Sequence, residues 1–298
     1  MAKVKLFRPS DTPTAATFFD RFREIFQKVV TYLFLLLGVV ISITPFVWMI
    51  ATSLMSLGEA QGIRWIPSSL HFENYVNAWR EAQFSEYFVN SVIITAVTLV
   101  GQVTFSVLAA YAFARIDFPG RDVIFTVMLS TMMIPAMVII IPNFLTVTWL
   151  GRIGPVKWVN NWPALTIPFM GNVFSIFLLK QFFAQIPDEL WDSARIDGAG
   201  HFRFLMTVVL PLSKAPLMVI IVLSFIGSWN ALAWPLLVTN SPEWRPIAVG
   251  LNNFVDEAGQ ELNLMMAGAF ITIIPILVIY FFTQKQFTES IARSGLKG

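Results

Sequence analysis

Six stretches of this chain run for between 18 and 27 residues without one Asp, Glu, Lys, Arg or His. They cover 29–52, 88–114, 123–147, 162–179, 215–238 and 264–282. A helix crossing the hydrocarbon of a bilayer needs about 20 mostly apolar residues, so each stretch reads as a transmembrane helix. Composition agrees. Hydrophobic residues make up 56% of the chain and charged ones 13%, where a soluble domain carries about 25%. Mean hydropathy is +0.68. The expected fold is an all-α membrane protein with six transmembrane helices. The first stretch starts too far from Met1 and is too long for a cleaved signal segment, so it reads as a retained anchor.

Short inner loops of membrane proteins are enriched in Lys and Arg. With the N-terminus inside, only Arg64, Arg80, Arg152, Lys157 and Arg245 of the 20 Lys and Arg fall outside. Both termini are therefore expected in the cytoplasm. Residues 1–28 form an inner N-terminal segment in which Phe18, Phe19, Phe22, Ile25 and Phe26 recur at helical spacing among charges, which suits a helix lying in the membrane interface. Residues 29–287 form the transmembrane domain, and 288–298 a cytoplasmic tail.

Several chemistries are excluded. There is no Cys, so there is no disulfide and no thiolate ligand. The two His, His71 and His201, stand without a ligand cluster. No Gly-Lys pair exists, so no Walker A loop can cradle phosphates. Proton-coupled carriers, pumps and voltage sensors use ionisable groups at depth, and the six stretches have none. Neutral polar residues do occur there: Gln102, Thr104 and Ser106, Ser130 and Thr131, Asn172 and Ser175, then Ser224, Ser228 and Asn230. Such groups either bond between helices, at about 0.6 kcal/mol each, or line a route for a hydroxylated solute. Pro45, Pro135, Pro142, Pro168, Pro235 and Pro275 punctuate the stretches as fixed kinks or as hinges.

The most informative segment lies between the fourth and fifth stretches, on the inner side. Pro187, Asp188 and Glu189 make a good helix start, and Gly198 and Gly200 good stops, so a short helix is expected at about 188–200. It offers apolar anchors in Leu190, Trp191 and Ile196, charged ones in Asp192, Arg195 and Asp197, and small residues in Ser193 and Ala194. On physical grounds it is either a plain amphipathic surface helix or a docking helix that passes a push to the spans.

The segment resembles the EAA loop of ABC-importer permeases, whose pattern is E-A-A, three residues, Gly, nine residues, then I-x-L-P. Asp192, Ser193 and Ala194 stand for E-A-A, Gly198 for the glycine, Val208 for Ile, and Leu210 and Pro211 close the pattern at the right spacing. Asp for Glu, Ser for Ala and Val for Ile are mild departures. The resemblance extends along nearly the whole chain, through Ala110–Arg115, Phe118–Arg121, Ile134-Pro135, Phe177–Phe183, Trp229-Asn230 and the terminal Gly295–Gly298. It is strongest to the sugar branch with six spans.

The resemblance implies a permease of the prokaryotic cytoplasmic membrane that imports a sugar or related polyol. It implies a second, homologous permease, two ATPase subunits that bind ATP and Mg, and an extracytoplasmic solute-binding protein. It implies no cofactor on this chain, no catalytic residue, no metal and no nucleic acid. Glu189, Asp192, Ser193, Ala194, Arg195, Asp197, Gly198, Leu210 and Pro211 would couple to the ATPase, and the tail with Lys297 would also reach it. Gln102, Asn172, Trp229 and Asn230 are candidates for the solute pathway. Trp244, Asn252 and Asn253, in the outer loop 239–263, are candidates for contact with the binding protein. Competing readings are a permease of the same class for glycerol phosphate, a self-contained channel or secondary carrier, and a non-transporting scaffold. The channel or carrier would work without an ATPase.

Overall fold

A computed structural model describes residues 15–62, 64–256 and 261–295. Among them there are helices, turns and no strand. Ten helices carry the architecture: α1 (Ala15–Ser53), α2 (Glu73–Glu81), α3 (Phe84–Arg115), α4 (Arg121–Ser130), α5 (Ala136–Ile153), α6 (Val173–Phe183), α7 (Asp188–Ile196), α8 (Lys214–Trp229), α9 (Ile247–Asp256) and α10 (Leu262–Gly295). Shorter helical turns at Leu57–Ala60, Trp162–Thr166, His201–Phe204 and Ala233–Val238 link them.

Helix α3 is the hub. It packs most extensively against α6 and α8, and also meets α2, α4, α9 and the Trp162–Thr166 turn. At one end, Val107, Ala110 and Tyr111 of α3 form a core with Leu179 and Phe183 of α6, Ile186, Phe204, Leu205, Val209 and Ile220. At the other end, Phe84 and Tyr87 join Phe225 and Trp229 of α8 and Ile247 of α9. A third cluster sets Ile94 against Val147 of α5, Ala164, Leu165, Trp234 and Val238.

Among the described residues, five helical segments are long and apolar enough to cross a membrane: 20–53, 84–115, 136–153, 162–183 and 262–284. The segment His201–Leu212 meets α8 at 83°, and that bent pair would raise the number to six. Three expected stretches are not straight rods. The third divides: α4 ends at Ser130, one 3-10 turn spans Thr131–Met133, Ile134 is extended, and α5 starts after Pro135. Proline bars its predecessor from helical geometry and lacks a donor of its own, which accounts for the break. As a result α5 reaches Ile153, six residues past the expected end at 147. The fourth breaks around Pro168 and resumes at Val173. The fifth breaks at Asn230–Leu232 before Pro235.

Helix α1 also differs from expectation. It is one continuous helix of 39 residues, so residues 20–28 run without a break into the first apolar stretch. Nothing between Ala15 and Leu37 is a glycine or proline that would interrupt it. Likewise α10 runs on to Gly295, through the start of the expected tail at 288. Lys297 lies outside the described residues.

Candidate functional site

Helix α7 forms as its sequence suggests. Pro187 precedes it, Asp188 and Glu189 sit in its first turn, and Arg195 in its last, each favourable to the helix dipole. Its end is a Schellman cap. Gly198 is left-handed at φ +77°. Its N–H donates to the Arg195 carbonyl at 3.0 Å, and that of Ala199 to the Ala194 carbonyl at 2.8 Å. A Cβ on Gly198 would meet nothing within 4 Å. Glycine is thus required there for its backbone angle, not for space.

Two faces of α7 differ. Ala194 and Trp191 pack on the α3–α6 core. Glu189, Asp192, Ser193, Arg195 and Asp197 are exposed, and Ile196 is 87% exposed. Arg195 lies 6.0 Å above the Trp191 ring. Leu210 packs against the core, while Pro211 is exposed next to the elbow at Ser213. One turn of π helix, Leu205–Val209, precedes that elbow. The structure therefore brings the expected coupling residues to one end of the molecule, with Leu210 and Pro211 beside the helix on the elbow segment.

What holds α7 in place was not legible beforehand. Arg115, the last residue of α3, has a side chain only 8% exposed. Its Nε donates to the Phe183 carbonyl at 3.0 Å. A terminal nitrogen donates to the Ile186 carbonyl, and the other pairs with Asp188. One turn earlier, the Tyr111 hydroxyl lies 2.9 Å from His201 Nδ1. His201 stacks on Trp191 at 4.4 Å between ring centroids, and Trp191 also meets Phe204. The sequence signal was present: a Tyr and an Arg at i and i+4 at the C-terminal end of an apolar stretch. Their partners lie 68 to 90 residues away.

The candidate pathway residues separate into two groups. Gln102 is buried and donates to Ser175 Oγ at 3.2 Å. Asn172 caps α6 by accepting from the Ser175 N–H at 2.8 Å. Ser175 thus joins these two at the break in the fourth stretch. Trp229 is 2% exposed, stacked on Phe225, and donates from Nε1 to the Thr272 carbonyl at 3.0 Å. Asn230 is exposed at the end of α8.

At the opposite end of α3, side chains hook the neighbouring loops by their backbone. Asn90 donates to the carbonyls of Glu243 and Arg245, and Ser91 accepts from the Ile247 N–H. Asn160 accepts from the N–H groups of Asn240 and Ser241. Trp244 packs edge-on against Trp162 at 5.3 Å. Asn252 is half-buried on α9. The side chain of Asn253 lies outside the described residues.

Among the described residues, no group of three or more His, Cys, Asp or Glu could hold a metal ion.

The chain is 32% identical over 281 residues to the sn-glycerol-3-phosphate transport system permease protein of Brucella abortus, covering 90% of this chain and 97% of that one. It is 28% identical over 273 residues to the diacetylchitobiose uptake system permease protein of Streptomyces coelicolor, covering 90% and 88%. The fold matches the crystal structure of a bacterial ABC transporter involved in import of the acidic polysaccharide alginate. There the TM-score is 0.75 at 24% identity, over 93% of this chain and 99% of that one. Residues 102–292, which include Arg115, α7 and the elbow, match the family model for the binding-protein-dependent transport system inner membrane component. The chain belongs to that family and is a permease subunit of an ABC importer, a transport protein and not an enzyme.

Proposed function

We infer that this chain is one of two related permeases that form a solute pathway, and that α7 is the helix on which an ATPase subunit docks. The observation that carries the reading is α7 itself. It is held rigidly at the end of the hub helix, yet its Asp192–Ser193, Arg195–Asp197 surface faces outward with Ile196 bare. Exposed apolar side chains rimmed by charges suit an interface. Glu189, Asp192, Ser193, Ala194, Arg195, Asp197 and Gly198 would meet or shape the ATPase groove, and Leu210 and Pro211 would set the elbow behind it. ATP and Mg belong to the two ATPase subunits, whose closure shifts the permease between states by differential contacts.

Six passages with both termini inside fit the connectivity. Helix α8 alone has 16 residues, about 24 Å at 1.5 Å per residue, against a hydrocarbon core of about 30 Å. The Ala233–Val238 turn supplies the remaining length. The His201–Leu212 segment turns away by 83° and suits the inner surface. The outer loop with Trp244, Asn252 and Asn253 would face a solute-binding protein. The breaks beside Asn172 and Asn230 support a pathway there, since unwound backbone at depth belongs where it is shielded from lipid or lines a cavity. The solute is a sugar or polyol, including phosphorylated forms such as the one named for the Brucella relative.

The test is assembly with the partner permease, ATPase and binding protein in proteoliposomes. A disaccharide and glycerol 3-phosphate are then screened for stimulated ATP turnover. Gly198→Val should leave the chain inserted but lose the ATPase, because a β-branched residue at φ +77° is strained. Gly198→Asn, which tolerates that region, should retain it. Equal retention of the ATPase by both variants would sink the docking role of α7.

A further inference from the structure

We propose that Tyr111 and Arg115 form a two-point clasp that makes α3 and α7 move as one body, so that α3 is the lever through which the docked ATPase moves the permease. The proposal deepens the docking reading above and rests on it. Arg115 fastens the start of α7: one guanidinium holds the Phe183 carbonyl at the end of α6, the Ile186 carbonyl in the connection, and Asp188 at the first position of α7. Tyr111 fastens the middle of α7 through His201, whose ring lies flat on Trp191. The two residues are one turn apart on the same face of α3. A helix held at one point can pivot, whereas one held at two points cannot.

The chemistry is matched to this task. A planar guanidinium with several fixed donors can hold three acceptors in one geometry, and a lysine ammonium cannot reproduce that fork. With 8% of its side chain exposed, a charge here must keep its partners, because an unpaired buried charge is costly. The clasp therefore persists through the cycle while softer contacts exchange. At its other end α3 holds the outer loops through Asn90 and Ser91, so a displacement of α7 reaches the outer face along a single rigid rod. Tyr111 and Arg115 are positioning residues and touch neither solute nor nucleotide.

The native chain has no Cys, so a label pair needs no background removal. Spin labels at Leu108→Cys on α3 and Val39→Cys on α1, both exposed positions, report movement of the lever in the whole complex in nanodiscs, with and without MgATP and vanadate. The native background should show a nucleotide-dependent shift of that distance. Tyr111→Phe should reduce the shift, and Arg115→Gln should abolish it, with the ATPase still bound and hydrolysing ATP. Arg115→Lys should fail to restore it, and Asp188→Glu should preserve it. A full shift in both Tyr111→Phe and Arg115→Gln, or rescue by lysine, would overturn the clasp while leaving the docking reading intact. Failure of the unmodified chain to retain the ATPase would overturn both.

Discussion

Helices α1 and α3 are both strongly apolar and both long enough to span a bilayer, yet they stand in opposite relations to the rest of the chain. None of the most apolar stretch of α1 is buried, against 33% of that of α3. Helix α1 packs along α10 and presents Phe34, Leu36 and Ile41 outward. Helix α3 is enclosed by α6, α8 and α9. Apolarity therefore marks a helix as a span without saying what covers it. The distinguishing mark is polar: Ser91, Thr95, Thr98, Gln102 and Ser106 follow each other on α3 at steps of three or four, and all are buried. Thr104, off that stripe, is exposed. Small polar residues in register let helices approach and bond in a membrane, where apolar surface alone gives them no reason to associate.

Truncating a ring on each helix should separate them most clearly. Phe84, fully buried at the start of α3, sits edge-on to Trp79 and Phe254. Phe84→Ala should cost about 3–5 kcal/mol through the cavity it leaves. Phe34→Ala on α1, where the side chain is 67% exposed, should leave thermal unfolding in micelles unchanged. Equal losses would show that α1 packs within this chain more than its bare surface allows.

The next contrast uses glycine. A Cβ on Gly250 of α9 would lie 2.4 Å from a ring carbon of Tyr87 on α3, so Gly250→Ala should cost about 1–3 kcal/mol by overpacking. Gly38 of α1 has nothing within 4 Å of its missing Cβ. Gly38→Ala should therefore stabilise by up to about 1 kcal/mol through helix propensity. Calorimetry of the two variants should show melting shifts of opposite sign, and matching signs would contradict the packing described for α3 and α9.

How far each region could be read in advance follows the range of its interactions. Helix α7 was legible to within its caps, because Pro187, the two acids and Gly198 act on their own backbone. Membrane-spanning character was legible because it needs only a run of apolar residues. The breaks were half legible: Pro135, Pro168 and Pro235 marked them, but an apolar run reads straight through a helix that stops and restarts. Arg115 bonding to Phe183, Ile186 and Asp188 was not legible, since nothing local at either end specifies the other. Neither was the bond that Trp229 donates to the Thr272 carbonyl inside the core.

Along the α3 stripe itself, two substitutions of similar size should differ in sign. Gln102→Leu removes the bond to Ser175 and should cost about 0.6 kcal/mol, the usual worth of a polar contact between membrane helices. The Thr98 hydroxyl is buried without a partner. Thr98→Val removes an unsatisfied group at nearly constant shape and should be neutral or slightly stabilising. A double-mutant cycle of Gln102→Leu with Ser175→Ala should show coupling, whereas Thr98→Val with Ser175→Ala should be additive.

The smallest effect lies in the connection between the two helices and is read by pH. Glu59 accepts from Ser68 and closes a capping box with Ser56. Those bonds, that from the Ser68 side chain first, lower its pKa from 4.5 to about 2. A depressed folded pKa contributes stability that is complete above the unfolded value and is lost as pH falls through the folded one. The connection should therefore weaken between about pH 4.5 and 2, and Glu59→Gln should remove that dependence. Glu81, at the end of α2, shifts the other way, raised by burial first and by Glu261 second. Its contribution is present at low pH and is lost as pH rises above the ordinary carboxylate value, so Glu81→Gln should gain stability at neutral pH and none in acid. Melting curves of the two variants across this range should bend in opposite directions. Parallel curves would mean that neither carboxylate senses the fold, and that the link between the bare helix and the buried one is held by its backbone alone.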